Sequence, residues 1–395
     1  MCSASGSVIN SRKIVAHLAL LALAGCSTST VQEQPRDVAR IEPAEAVPVE
    51  SPAPPIPDKS ALRISIASVG DMMLGTDYPE NHLPDDDGVS FLAAVTPALS
   101  SANIAFGNLE GVLVDGGEPA KTCKNPSACY LFRSPTRYAK LYRDAGFDVL
   151  SLANNHARDF GEDGRTSTMQ ALDAVGIYHS GREGDFASFE SNGLKIAVLA
   201  YAVTKESNMM LDEQLAKATV AEYSASHDIV IVTFHGGAEG VDATNLPFAE
   251  EEYFGEPRGD VVKFARRMVD VGADLVIGHG PHVVRAIERY KDRLIAYSLG
   301  NFATYYGISV AGIKGIAPIL ITTLDGEGRF IEGEIISTIQ LRPDGPSIDE
   351  KQRALNLMRG LSIEDFGAPG VRFESDGRVI PIERQTNPAH GRRVY

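Results

Sequence analysis

Residues 148–161 read Asp-Val-Leu-Ser-Leu-Ala-Asn-Asn-His-Ala-Arg-Asp-Phe-Gly, a short apolar run that stops on a cluster of polar side chains. Asp148–Leu152 has the length and composition of a strand, and Asn154, Asn155, His156, Arg158 and Asp159 follow directly. The same arrangement recurs along the chain. A run from Arg63 ends in Val69-Gly70-Asp71-Met72-Met73, and a run from Ile104 ends in Gly107-Asn108-Leu109-Glu110. Later runs end in Phe234-His235-Gly236-Gly237-Ala238-Glu239, in Ile277-Gly278-His279-Gly280-Pro281-His282 and in Tyr297-Ser298-Leu299-Gly300-Asn301-Phe302. In α/β sheets the carboxyl ends of strands line the ligand crevice, so segments distant in sequence can meet there. Glycine beside each polar residue permits tight turns and close backbone approach. Singly, each residue has a plainer role: Asp71 as a cap, the asparagines as turn residues, a lone histidine hydrogen-bonded in the core. Their joint recurrence at strand ends points to a site.

Working outward, strands are predicted at Arg63–Val69, Ile104–Phe106, Asp148–Leu152, Lys195–Tyr201, Ile229–Phe234, Asp274–Ile277, Leu294–Ser298, Ile316–Leu324 and Phe330–Leu341. Helices are expected at Phe91–Leu99, Thr136–Ala145, Gly164–Val175 and Gly259–Val271. The alternation implies an α/β domain over residues 62–342, and the long later strands imply a mixed sheet. Residues 343–395 are polar and punctuated by Pro and Gly. They read as a loosely packed C-terminal extension with one helix near Glu350–Arg359.

The other end sets the compartment. Arg12 and Lys13 precede an apolar run, Ile14–Ala24, of signal-peptide length, which ends in Leu23-Ala24-Gly25-Cys26. This pattern is that of a bacterial lipobox: residues 1–25 would be removed, and acyl chains on Cys26 would anchor the protein. With Ser27 after the cysteine, the expected location in a Gram-negative cell is the outer membrane, facing the periplasm. Residues 26–61 contain Ser-Pro-Ala-Pro-Pro-Ile-Pro and read as a flexible tether. Cys123 and Cys129 flank a proline-containing turn, and in an oxidising compartment they are expected to form a disulfide. The formal charge of −15 disfavours nonspecific binding to nucleic acid.

The ordered series Gly-Asp-Met-Met-Leu, Gly-Asn-Leu-Glu, Leu-Ala-Asn-Asn-His-Ala-Arg-Asp-Phe-Gly, Gly-His-Gly-Pro-His-Val and Tyr-Ser-Leu-Gly-Asn-Phe resembles the CapA family of poly-γ-glutamate capsule proteins, from about Ile64 to Phe302. That resemblance implies a four-layer αββα sandwich similar to metallo-dependent phosphatases, with a divalent metal such as Mn, Fe or Zn. It implies Asp71, Asn155, His235, His279 and His282 as metal ligands and His156 as proton donor or electrostatic clamp. Glu110, Asp159 and Glu239 could act as general acid or base if burial raises a carboxyl pKa. Asn154, Arg158 and Asn301 could position substrate. The sequence departs from the metallophosphatase pattern at Met73, where a His is expected, at Asn108, where a bridging Asp is expected, and at Gly280. Two functions remain open: a metal-dependent hydrolase acting on an anionic envelope polymer or its precursor, and a non-catalytic component of a polymer synthesis or export complex. Arg133, Arg137, Arg158 and Arg165 could form a positive groove for the polymer or be ordinary surface charges.

Overall fold

The computed structural model describes residues 58–121 and 129–383. Cys26, the tether up to residue 57, and Cys123 lie outside the described residues. Among those residues no helix is long and apolar enough to cross a membrane.

The larger sheet takes, in spatial order, β19 (Val371–Phe373), β20 (Arg378–Pro381), β17 (Phe330–Gln340), β16 (Ile316–Asp325), β1 (Arg63–Met73), β2 (Ile104–Leu109), β5 (Val149–Ser151) and β6 (Tyr178–Ser180). β15 (Asn301–Thr304) also pairs with β1, and β18 (Pro346–Ile348) with β17. The smaller sheet runs β13 (Ile287–Tyr290), β14 (Arg293–Ala296), β12 (Leu275–His279), β9 (Ile229–His235), β8 (Leu194–Ala202), β7 (Ala187–Ser191). The larger sheet is parallel from β1 to the β6 edge and antiparallel from β16 to the β19 edge, and the smaller is parallel at its centre and antiparallel at both edges, the mixed arrangement expected. Two small ladders lie apart: β3 (Val112–Leu113) with β4 (Arg133–Ser134), and the hairpin of β10 (Glu251–Tyr253) and β11 (Glu256–Gly259).

Side-chain alternation along the strands builds the layers. Ile64 and Ile66 of β1, Ile229 and Ile231 of β9, and Leu275 and Ile277 of β12 fill one cluster between the sheets. The intervening Ala67 and Val69 turn outward beneath α1 (Thr96–Leu99), α2 (Tyr138–Asp144) and α3 (Gly161–Ala174). Val230, Val232 and Val276 turn the other way, onto α4 (Glu213–Ser224) and α5 (Val261–Asp270). The result is helix, sheet, sheet, helix: the αββα sandwich.

Two expectations need correction. The helix expected from Phe91 begins only at Thr96, because Pro97 lacks an amide hydrogen and is tolerated only in a first turn. Residues 346–381 are not a loose extension. β18, β19 and β20 add to the larger sheet, while Leu355 and Met358 of α6 (Arg353–Phe366) enter the core between the sheets.

Candidate metal centre

The register of the parallel strands decides which side chains meet. His279 at the end of β12 lies directly opposite His235 at the end of β9. Both continue the alternation of isoleucines and leucine that faces the other sheet. On that other sheet Asp71 of β1 is in register with Asn108 of β2 on one side and Asn301 of β15 on the other. Close backbone approach makes this possible: a Cβ on Gly70 would fall 1.9 Å from the Gly300 carbonyl oxygen. His282 completes the group from a left-handed backbone conformation, φ 58°, rare for a residue with a side chain.

The group is tight and dry. His282 Nδ1 lies 3.1 Å from Asp71 Oδ2, and His279 Nδ1 lies 3.6 Å from Asp71 Oδ1. His282 Nε2 is 3.6 Å from Glu110 Oε1 and 3.9 Å from Glu239 Oε2. The rings of His235 and His282 are 6.5 Å apart. Asp71 and Glu110 are fully buried, and His235 and His279 are 1% exposed.

Burial pushes the Glu110 carboxyl up to about 8, reinforced by Asp71 and Glu239 and opposed by His282. Burial would also raise Asp71, but His282, whose Nδ1 lies 3.1 Å from Oδ2, holds it well below the usual carboxylate range, helped by His279 and His235. Burial lowers His279 to about 4 and takes His235 well below its ordinary value, leaving both rings neutral with lone pairs available. Burial opposes charge on His282 too, yet Glu110 and Asp71 raise it to about 10.

Whether these residues suit a divalent cation is tested by their unmet bonding. Asp71 Oδ2, both oxygens of Glu110, both ring nitrogens of His235 and of His279, and the amide oxygen of Asn155 are buried with no hydrogen-bond partner. Buried polar atoms in folded proteins are rarely left this way. Asp71, Glu110 and His282 can each bring a ligand atom within 4.8 Å of the others. A mixed carboxylate and imidazole set fits a divalent cation of the Mn, Fe or Zn type.

The remaining residues singled out from the sequence are placed differently. Asn108 donates to Asp71 Oδ1 at 2.8 Å and accepts from Asn154 at 3.1 Å. Asn154 also donates to the Leu109 carbonyl and accepts from the His156 amide, so it ties two loops together. Asn301 accepts at 2.8 Å from His282 Nδ1 and donates to backbone carbonyls, fixing that ring. Asp159 is fully buried and holds His156 Nδ1 at 2.7 Å, while Lys121 lies 3.2 Å from its other oxygen. Arg133, Arg137, Arg158 and Arg165 are each already paired, with Asp77, Asp87, Glu162 and Glu206, and Glu162 respectively. Sequence reading missed Arg258. It is 2% exposed on β11, with Nη2 3.0 Å from Glu239. No motif surrounds it, and burial alone sets it apart.

A four-layer αββα protein with a buried carboxylate and imidazole centre at its strand ends is thus the class that fold and site define. The chain belongs to the family of bacterial capsule synthesis proteins PGA_cap, whose profile matches residues 65–306. It is 29% identical over 272 residues to the capsule biosynthesis protein CapA of Bacillus anthracis, covering 63% of this chain and 61% of that relative. It therefore spans less than two thirds of that relative's length. It is also 29% identical over 284 residues to the PGA biosynthesis protein CapA of Bacillus subtilis, covering 68% and 70%. Among solved structures, purple acid phosphatase from yellow lupin is similar only loosely, with a TM-score of 0.34 and 10% identity, covering 73% of this chain and 55% of that one.

Proposed function

We propose that this protein serves capsule-type polymer synthesis or export in the cell envelope, and that its site is a divalent-metal hydrolytic centre acting on an anionic, poly-γ-glutamate-type polymer or its precursor. The relatives' names support the polymer class. The observation that carries the chemistry is the set of unpartnered buried donors on Asp71, Glu110, His235, His279 and Asn155. Those residues and His282 would hold the cation, which when bound supplies Lewis acidity toward an acyl or phosphoryl group. Asp159 holds His156 by Nδ1, leaving Nε2 to take up a proton, as from the attacking water, and pass it to a leaving group while Asp159 stabilises the charged ring. Phe132 packs against His156, with ring centroids 4.2 Å apart and planes inclined by 33°, and restricts the ring. Cleavage of residues 1–25, acylation of Cys26 and the Cys123–Cys129 disulfide belong to the same proposal: the acyl chains would tether the domain to the membrane beside its synthesis or export partners, and the disulfide would close a loop.

A non-catalytic, polymer-binding role is the second reading. It is favoured by Asn108, whose amide covers one oxygen of Asp71 where a second carboxylate would help hold two cations. Elemental analysis of the purified chain, supplied with manganese, iron and zinc in turn, tests the first reading. Stoichiometric metal and hydrolysis of a γ-glutamyl polymer or phosphoester are expected. A metal-free protein under all three conditions overturns the metal centre.

A further inference from the structure

Two arginines are buried beside the centre, and they are used differently. Arg285 is fully buried and donates four hydrogen bonds. It donates from Nη1 and Nη2 to the two oxygens of Glu251 at 2.9 and 2.7 Å, from Nε to the Ala243 carbonyl and from Nη2 to the Ala238 carbonyl. Glu251 in turn accepts from the Ala238 amide at 2.9 Å. This pair clamps the loop after β9 that presents Glu239. Arg258 donates a hydrogen bond only from Nε, to the Gly237 carbonyl at 3.0 Å. Its Nη2 lies within 3.0 Å of Glu239 Oε1 but outside hydrogen-bonding geometry, and it is buried with no other partner.

That nitrogen faces the centre. A Cβ on Gly280, in the turn between His279 and His282, would fall 3.3 Å from it. The other oxygen of Glu239 points to His282 Nε2. Glu239 covers the guanidinium from the more open side, its side chain being 15% exposed against 2% for Arg258. A buried cation with a free donor, held by one off-axis carboxylate, is an oxyanion receptor whose place is taken by a side chain.

We propose that Arg258 is the substrate-anion receptor of this site, and that Glu239 occupies it as a place-holder until a carboxylate or phosphate oxyanion displaces it. This rests on the reading of the site as a substrate-binding centre, but not on its metal being present. Arg133, Arg137, Arg158 and Arg165 are also held by carboxylates, and what sets Arg258 apart is its place against the turn that carries His279 and His282.

The test uses substitutions of opposite sign. In Arg258→Gln the amide nitrogen replaces Nε, so the bond to Gly237 can persist while both terminal nitrogens go. Glu239→Gln removes the competing charge. Binding of inorganic phosphate and of γ-glutamylglutamate to the full-length chain is followed by calorimetry, in chelator-treated and manganese-loaded protein, with metal content measured alongside. Loss of a charge-assisted pair predicts binding weaker by about tenfold or more in Arg258→Gln, and stronger binding in Glu239→Gln. The probe that responds names the source of the oxyanion. Unchanged affinity in Arg258→Gln, or unchanged or weaker binding in Glu239→Gln, overturns the proposal. Failure of the metal centre shows separately, as absent metal in the wild-type chain.

Discussion

The two ends of the central strands treat buried and half-buried carboxylates in opposite ways. Near their amino ends, and in the turn after β16, each acid is met by donors. Asp274 accepts from the Val230 amide at 2.9 Å and from Arg293 at 2.9 Å. Asp148 accepts from the Ala105 amide, and Asp228 from the Lys195 amide and Lys59. Asp325 accepts from the amides of Glu327 and Arg329 and from the Arg329 side chain. At the carboxyl ends, Glu110 has no hydrogen-bond partner on either oxygen, and Asp71 has one oxygen bare. A met carboxylate fastens structure, whereas an unmet one costs stability until something binds it. The difference separates scaffold from site without reference to any relative.

The largest effect expected from this contrast is on metal. Asp71→Asn and His279→Ala should each reduce bound metal below a tenth of the wild-type content, since even partners that only orient metal ligands change affinity roughly 10–100-fold. Elemental analysis after dialysis reads this directly. Full retention in both variants would place the cation elsewhere.

Asp325→Ala is the matching cut at the scaffold end. It should leave metal content unchanged and lower unfolding free energy by about 1–3 kcal/mol, measured by denaturant titration. The pH dependence has a definite sign. Burial pushes the Asp325 carboxyl up, but the hydrogen bonds from Arg329 more than offset this and hold it below its ordinary 3.8. Its contribution is therefore present above that value and lost as pH falls through the lowered one. The gap between variant and wild type should close in acid.

Asn108→Asp probes the border between the two behaviours, because Asn108 lies beside an unmet carboxylate yet is itself satisfied. A carboxylate there would face Asp71 at the distance now spanned by a hydrogen bond. Metal-free protein should lose about 1–2 kcal/mol of stability, and saturating manganese should restore it. Destabilisation that metal does not relieve would mark Asn108 as purely structural.

Much of this organisation is legible in the sequence. β1, β8, β9 and β16 announce themselves as β-branched or apolar runs, and glycine next to a polar residue marks where Asp71, His235 and His279 stand. The C-terminal strands do not, because β18, β19 and β20 are three or four residues long and show no long alternating pattern. Nor does sequence reveal how a polar side chain is used. Asn154, Asn155 and Asn301 look alike as strand-end amides. Asn154 and Asn301 are engaged in ties between loops, and only Asn155 keeps a buried, unpartnered oxygen. Partner choice is a long-range property, set by which strands lie side by side.

Arg158 gives the smallest expected effect and the finest test of the contrast. It follows the Asn-Asn-His motif directly, which makes it the natural arginine to assign to substrate. Its guanidinium instead meets Glu162 at 2.7 Å and also pairs with Glu206, and all three side chains are about a third or more exposed. Pairs in water of this kind contribute roughly 0–1 kcal/mol. Arg158→Ala should shift stability by less than about 1 kcal/mol and leave phosphate affinity within about twofold of wild type. Arg258 lies far from any motif in sequence, yet it is buried against the histidine turn, with Nη2 beside Glu239 but making no aligned hydrogen bond. If Arg158→Ala weakened anion binding tenfold, proximity to a motif would outweigh burial and unmet bonding as a guide to function. The contrast between buried and solvent-facing charges predicts the reverse, because Arg158 is held in solvent by two carboxylates, whereas Arg258 is buried at the centre with one to displace.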